Sequence, residues 1–298
     1  MDAASPKILK TACSFAGYGG LKLVGDLVEP GGVVRGTAIL LHGGGQTRHS
    51  WARTANDLAN NGWRVVSVDQ RGHGSSEWDA EGDYSMSAYG RDLAALGTAM
   101  AERWRAPVVV VGASLGGIAG MLAAGEYAPE QFRALVLVDI TPELKHDGVE
   151  RILGFMAANA EHGFSSLDEA ADAIAEYLPH RPRPRDSSGL AKNLTLGEDG
   201  RYRWHWDPRF LDSRREAREH VGEVTATLVQ ATKHLELPVL LVRGRESELV
   251  GEGEAARFVE LVPHARVADV SGARHMVAGD RNDVFSAAVC GFLADLAG

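Results

Sequence analysis

Apolar positions recur along the chain with two periods. Short runs rich in β-branched residues predict strands over residues 21–28, 37–41, 63–68, 108–111 and 134–140. Between them, apolar residues return every three or four positions, which predicts helices over 51–61, 87–103 and 118–127. Strands that are apolar on both faces and separated by helices indicate a parallel sheet covered on both sides. The rhythm breaks after residue 140. From Thr141 to about Glu236 no buried strand is evident, and helical spacing dominates over 152–160, 167–177 and 214–235. Within this stretch His180-Arg181-Pro182-Arg183-Pro184-Arg185 excludes regular structure, because each proline removes a donor and fixes φ. A strand over 239–242, a helix over 254–261, a strand over 266–270 and a helix over 282–296 then restore the alternation. The pattern therefore predicts an α/β core made of 1–140 and 237–298, with a helical insert at 141–236.

Composition adds one distinctive feature. Of 298 residues, 45% are apolar and 24% charged, which is ordinary for a globular chain. Glycine is in excess, at 35 residues, and 21 of these fall within 1–140. Glycine concentrated in one part of a chain marks turns that a side chain would obstruct. The net charge of −9, with no lysine- or arginine-rich block, argues against a nucleic-acid partner. No run approaches 18 apolar residues, the N-terminal residues lack a signal-like apolar segment, and Cys13 and Cys290 are the only cysteines. These features predict a cytoplasmic protein with no membrane partner.

The glycines gather around candidate chemistry. Gly112-Ala113-Ser114-Leu115-Gly116-Gly117 lies directly between a strand and a helix. A serine at such a turn presents its hydroxyl above the sheet edge, and small neighbours let the backbone fold tightly there. The competing reading, a phosphate-binding turn of a dinucleotide fold, expects G-x-G-x-x-G after the first strand, and that motif is absent. Leu41-His42-Gly43-Gly44-Gly45-Gln46 follows another buried strand, and Asp69-Gln70-Arg71-Gly72-His73-Gly74-Ser75 follows the next. Glycines in the first of these turns would let backbone N–H groups approach an oxyanion.

These three turns, in this order and spacing, resemble those of the α/β-hydrolase superfamily, in its capped, serine esterase-like branch. The resemblance spans nearly the whole chain. It implies a mostly parallel eight-stranded sheet with helices on both faces, and a helical cap at 141–236. It also implies a nucleophile at Ser114 and an oxyanion hole formed by the N–H groups of Gly44 and Leu115. His42, Arg71 and His73 would be turn-stabilising residues. His275, in the loop after the strand at 266–270, matches the family's histidine loop. His264 precedes that strand and should lie at the opposite sheet edge.

The acid is less directly marked. The common position, three residues after the glycine that ends the strand at 239–242, is occupied by Ser247, which cannot serve. Asp139, at the end of the strand at 134–140, is the preferred alternative, as in some capped esterases and haloalkane dehalogenases; Glu248 is the other. In the insert, Arg201-Tyr202-Arg203-Trp204-His205-Trp206 is dense in aromatics. Trp204 and Trp206 are candidate substrate contacts, although anchoring the insert, which needs large apolar side chains for burial, is the preferred role for them. Arg181, Arg183 and Arg185 read as solvated charge. The 11 histidines show no metal-ligand spacing, and no G-K-[ST] phosphate loop occurs. The expected activity is cofactor-free hydrolysis of a small or medium ester through an acyl-enzyme. A C–C hydrolase, lactonase, thioesterase or perhydrolase could use the same groups, and a ligand sensor on the same fold is the non-enzymatic alternative.

Overall fold

The computed structural model describes residues 8–296. Ten strands occur among the described residues, in chain order β1 Leu9–Ala16, β2 Lys22–Glu29, β3 Gly36–Leu41, β4 Trp63–Asp69, β5 Val108–Ala113, β6 Phe132–Val138, β7 Leu194–Leu196, β8 Tyr202–Trp204, β9 Val239–Gly244 and β10 Arg266–Val270. Eight of them form one sheet in the order β1-β2-β4-β3-β5-β6-β9-β10, while β7 and β8 form a separate ribbon. The strands from β4 to β10 across the main sheet are mutually parallel; β2 runs antiparallel to both β1 and β4.

The apolar runs of the central strands have a plain cause. Alternate side chains point to opposite faces, and both faces are covered. Ile39, Leu41, Val108 and Val110 pack on one side beneath helices α2 (Met86–Trp104) and α3 (Leu115–Leu122). Ala38, Leu40, Val109 and Val111 pack on the other with α1 (Ala52–Asn60) and α10 (Asn282–Asp295). The chain leaves β3 towards β4 on one side and returns through α2 to β5 on the other. The crevice above the ends of β3 and β5 is therefore a topological switch point, where ligands of open α/β sheets bind.

Between β6 and β9 lie helices α4 (His146–Ala158), α5 (Leu167–Tyr177), α6 (Arg209–Glu219) and α7 (Val221–Lys233), followed beyond β9 by α8 (Glu252–Leu261) and α9 (Val277–Asp280). Three details depart from the sequence expectation. The helix expected over 214–235 is two helices, broken at His220, whose φ of −112° and ψ of 30° leave the helical region. The β7–β8 ribbon has no counterpart in the sequence pattern: its three-residue strands are interrupted by Thr195 and Arg203, so no buried run announces them. Strand β1 likewise has no counterpart in the pattern. Among the described residues it pairs only with β2, and it is largely exposed, which erases the alternation of a buried strand. The C-terminal part of α7 packs on the core: a Cβ at Gly125 would lie 2.0 Å from the Ala231 carbonyl. No helix among the described residues is long and apolar enough to cross a membrane, and both cysteines are free.

Candidate active site

Strand β5 ends in a turn so tight that its neighbours must be glycine. A Cβ at Gly112 would lie 2.3 Å from the Gly116 carbonyl oxygen, and one at Gly116 would lie 2.5 Å from the carbonyl oxygen of Leu41. At the apex Ser114 adopts φ 47° and ψ −112°, a conformation that costs a non-glycine residue about 1–3 kcal/mol. Its N–H donates to the Val138 carbonyl at 3.2 Å, and its own carbonyl accepts from Gly117 and Ile118 at 2.9 and 3.0 Å. The serine is thus fixed at the junction of β5 and α3, with its side chain on the wall of a cavity of about 1170 Å³.

Asp139, immediately after β6, shares the same unusual backbone. Only Arg105, Ser114 and Asp139 among the described non-glycine residues have positive φ, so two of the three stand at this sheet edge. Asp139 is fully buried, and its N–H donates to Val242 at 2.8 Å, continuing the β6–β9 register. Its carboxylate is saturated with donors. Oδ2 accepts from His275 Nδ1 at 2.8 Å and from Ser247 Oγ at 2.5 Å, and Oδ1 accepts from the Gly244 N–H at 3.1 Å. Ser247 Oγ itself accepts from the N–H groups of Leu249 and Val250, which directs its single hydrogen at Asp139. The serine that cannot act as the acid therefore orients one. Glu248 lies elsewhere, beside Lys145, His146 and Arg151, with Oε2 buried and unpaired. It makes no hydrogen bond to His275.

His275 follows β10, half-buried, and lines the same cavity as Ser114. Its loop is held by Asp280, which accepts from the Arg274 N–H at 2.9 Å and from Arg181 Nε at 2.6 Å. Arg181 is thus not simply solvated: it ties the Arg-Pro segment to the histidine loop. Arg183 pairs with Asp168 and Asp172 on the surface. His264 is exposed, with Nε2 against the Leu237 carbonyl before β9, at the opposite edge of the sheet.

The turn after β3 supplies backbone donors. Gly43 N–H donates to Gln46 Oε1 at 3.3 Å and Gly45 N–H donates to His73 Nε2 at 3.1 Å. Among the described residues, the intervening Gly44 N–H has no acceptor. A Cβ at Gly43 would lie 3.4 Å from Ser114 Cβ, so this turn abuts the serine. Leu115 begins α3, and its N–H is one that no carbonyl of its own helix can reach.

The neighbouring polar residues hold the turns. His42 Nε2 accepts from the Gln70 N–H at 3.0 Å and Nδ1 donates to the Gly43 carbonyl at 2.8 Å. Burial pushes His42 down to about 3, and drives His73 well below the usual imidazole range. Arg71 forms a buried two-point pair with Asp92 at 2.7 and 2.9 Å. His205, which belongs to no motif in the sequence, accepts the Gly74 N–H at 2.6 Å, and burial pushes it down to about 4.

Trp204 and Trp206 both line the cavity. Trp206 is nearly fully buried and packs edge-on against Phe210, with ring centres 6.1 Å apart. Trp204 packs against Phe155 and Phe164 at 5.9 and 5.2 Å. Each ring therefore anchors the segment and faces the cavity together. Ser247 and His205 carried no motif of their own; only the serine's place after Gly244 gave a signal.

The parallel sheet, the strained serine turn and the histidine–aspartate pair define an α/β hydrolase. Residues 32–282 match the model of the family described as serine aminopeptidase, S33, and the chain belongs to that family. It is 31% identical to esterase Rv0045c of Mycobacterium tuberculosis over 248 residues, covering 82% of this chain and 78% of that protein. It is also 31% identical to 2-(acetamidomethylene)succinate hydrolase of Mesorhizobium japonicum over 215 residues, 72% of each chain. Among solved structures, that of E-2-(acetamidomethylene)succinate hydrolase superposes with a TM-score of 0.81 at 23% identity, covering 96% of this chain and 100% of the other. That of esterase Rv0045c gives 0.71 at 27% identity, over 96% and 92%. The protein is a hydrolase.

Proposed function

We propose that the protein is a serine esterase acting through an acyl-enzyme, with Ser114, His275 and Asp139 as its catalytic triad. The observation that carries this reading is the Asp139–His275 hydrogen bond on the same cavity as the strained Ser114. Asp139 keeps the proton on Nδ1, so Nε2 of His275 is free to accept the serine's proton. Ser114 Oγ attacks the ester carbonyl, and the oxyanion is received by the N–H groups of Gly44 and Leu115. His275 returns the proton to the departing alcohol. A water deprotonated by His275 then releases the acid and regenerates the serine.

These steps draw only on side chains, backbone and water, with a small molecule as partner. In this reading the segment 141–236 is a cap that closes the cavity, with Trp204 and Trp206 as contacts for the substrate. A volume of about 1170 Å³, lined by side chains such as Ile140, Leu153 and Leu228, suits a medium-sized substrate. The cytoplasm is the compartment this reading assigns, in keeping with two unpaired cysteines.

The test is steady-state hydrolysis of p-nitrophenyl acetate and butyrate by the purified protein and by Ser114→Ala. Turnover by the wild type and its loss by at least about 10³-fold in the variant is the expected result. Equal rates in the two proteins, or no turnover by either, would count against the proposal; single-turnover release alone would favour a sensor.

A further inference from the structure

Helix α6 carries an arginine whose surroundings are unlike those of its neighbours. Arg214 is 8% exposed and lines the cavity. Its guanidinium lies 4.9 Å from the ring centre of Phe210 and 5.9 Å from that of Tyr89. Nη2 donates to the Tyr84 carbonyl, and Nε is buried without an acceptor. Among the described residues no carboxylate pairs with it. The other arginines of the same wall are all neutralised: Arg181 by Asp280, Arg183 by Asp168 and Asp172, Arg215 by Asp212, and Arg218 by Glu150.

A buried cation without a counter-ion is expensive to keep, and removing it in favour of an apolar residue of similar volume would ordinarily stabilise a fold. The cost is intelligible if the counter-ion arrives with the ligand. The position agrees with this. Phe210, under the guanidinium, also roofs the oxyanion turn: its Cζ lies 3.1 Å from where a Gly44 Cβ would stand. One phenyl ring therefore separates the arginine from the Gly44 turn, roughly the length of a short aliphatic linker. Burial also pulls the Arg214 guanidinium below its ordinary range, with only Tyr89 opposing, as expected where no acid stands by.

We propose that Arg214 receives a carboxylate of the substrate, so that the preferred esters are anionic, carrying a carboxylate a few carbons from the scissile bond. This inference rests on the serine-esterase reading. The planar fork of a guanidinium matches a carboxylate in shape as well as charge, and the cation would be repaid only by substrates that bring one.

Two pairs of esters on the full chain test it, by titrating released acid. Monomethyl glutarate against methyl butyrate places the charge on the acyl side; 3-acetoxybutyrate against 2-butyl acetate places it on the alcohol side. The expected result is a preference of at least about tenfold in kcat/KM for one anionic member, and a fall of that anionic-to-neutral ratio by about 10- to 100-fold in Arg214→Met. A wild type indifferent to charge in both pairs, or a ratio unchanged in the variant, overturns the proposal. Should Arg214→Met fail to fold, the wild type decides alone. Glutarate, but not glutaramide, should slow labelling of Ser114 by an uncharged fluorophosphonate, and no difference between the two overturns the proposal. A wild type that is never labelled strikes down the esterase reading and this inference together; one that is labelled but indifferent to glutarate strikes down this inference alone.

Discussion

Replacing Asp139 with asparagine alters one atom of the site and reverses one hydrogen bond. The native carboxylate receives three donors and offers none: His275 Nδ1, Ser247 Oγ and the Gly244 N–H. Asparagine must place an NH₂ at one of its two oxygen positions. Facing Gly244, it sets two donors against each other in a buried site. Facing His275, it donates to Nδ1 and drives the ring proton to Nε2, where the serine's proton should go. Either orientation costs catalysis, and the wrong tautomer alone is worth about 10⁴-fold in kcat, or about 5 kcal/mol at 1.36 kcal/mol per decade. The assay is kcat/KM for p-nitrophenyl butyrate across Asp139→Asn and Glu248→Gln, with thermal melting by circular dichroism to separate lost chemistry from lost fold. Asp139→Asn should fall by three to four decades while Glu248→Gln stays within about threefold of wild type. An Asp139→Asn enzyme within tenfold of wild type, beside an inactive Glu248→Gln, would show that Glu248 and not Asp139 is the acid.

Three further outcomes follow from the same geometry. Ser247→Ala removes a hydrogen bond to a buried carboxylate and orphans the Leu249 and Val250 N–H groups; it should lower kcat about tenfold and stability by about 2–3 kcal/mol, and an unchanged rate and melting temperature would count against it. Gly112→Ala would thrust a Cβ to within 2.3 Å of the Gly116 carbonyl, so its melting temperature should drop by at least about 5 °C and the serine turn should lose activity; a wild-type melt would contradict the close approach. His42 at about 3 and His205 at about 4 are held neutral in the fold but take up protons near 6.5 when unfolded. Their stabilisation is therefore complete above pH 6.5 and is lost as pH falls towards 4 and then 3, at about 1.4 kcal/mol per pH unit for each. Melting followed from pH 7.5 to 5 should decline by several degrees, and a flat profile would show that these imidazoles are not held neutral.

The core was legible because its physics is repetitive. A strand such as Val108–Val111, apolar at every position, can only be covered on both faces, and helices on either side follow. The turns at 42–46, 69–75 and 112–117 were legible because close backbone approach demands glycine, and glycine is visible in a sequence. The segment 141–236 was less so. Its helices hold small apolar faces, and the break falls at His220, a residue that is itself neither proline nor glycine. Strand β1 hid because an exposed edge need not alternate. In the site, Ser247 read as a missing acid, whereas its hydroxyl steadies Asp139 from the far side of the sheet edge. Arg214 carried no signal at all: in a helix with Arg215 and Arg218 beside it, only the fold distinguishes the buried arginine from the paired ones.

The proposed triad makes Ser114 a nucleophile activated by the His275–Asp139 pair. Its most direct test is intact-mass analysis with peptide mapping after exposure to an uncharged fluorophosphonate. A nucleophilic Ser114 should give a single adduct per chain, on the peptide containing Ser114, absent from Ser114→Ala and strongly slowed in Asp139→Asn. An adduct on another residue, or a folded wild-type protein that stays unlabelled, would contradict it.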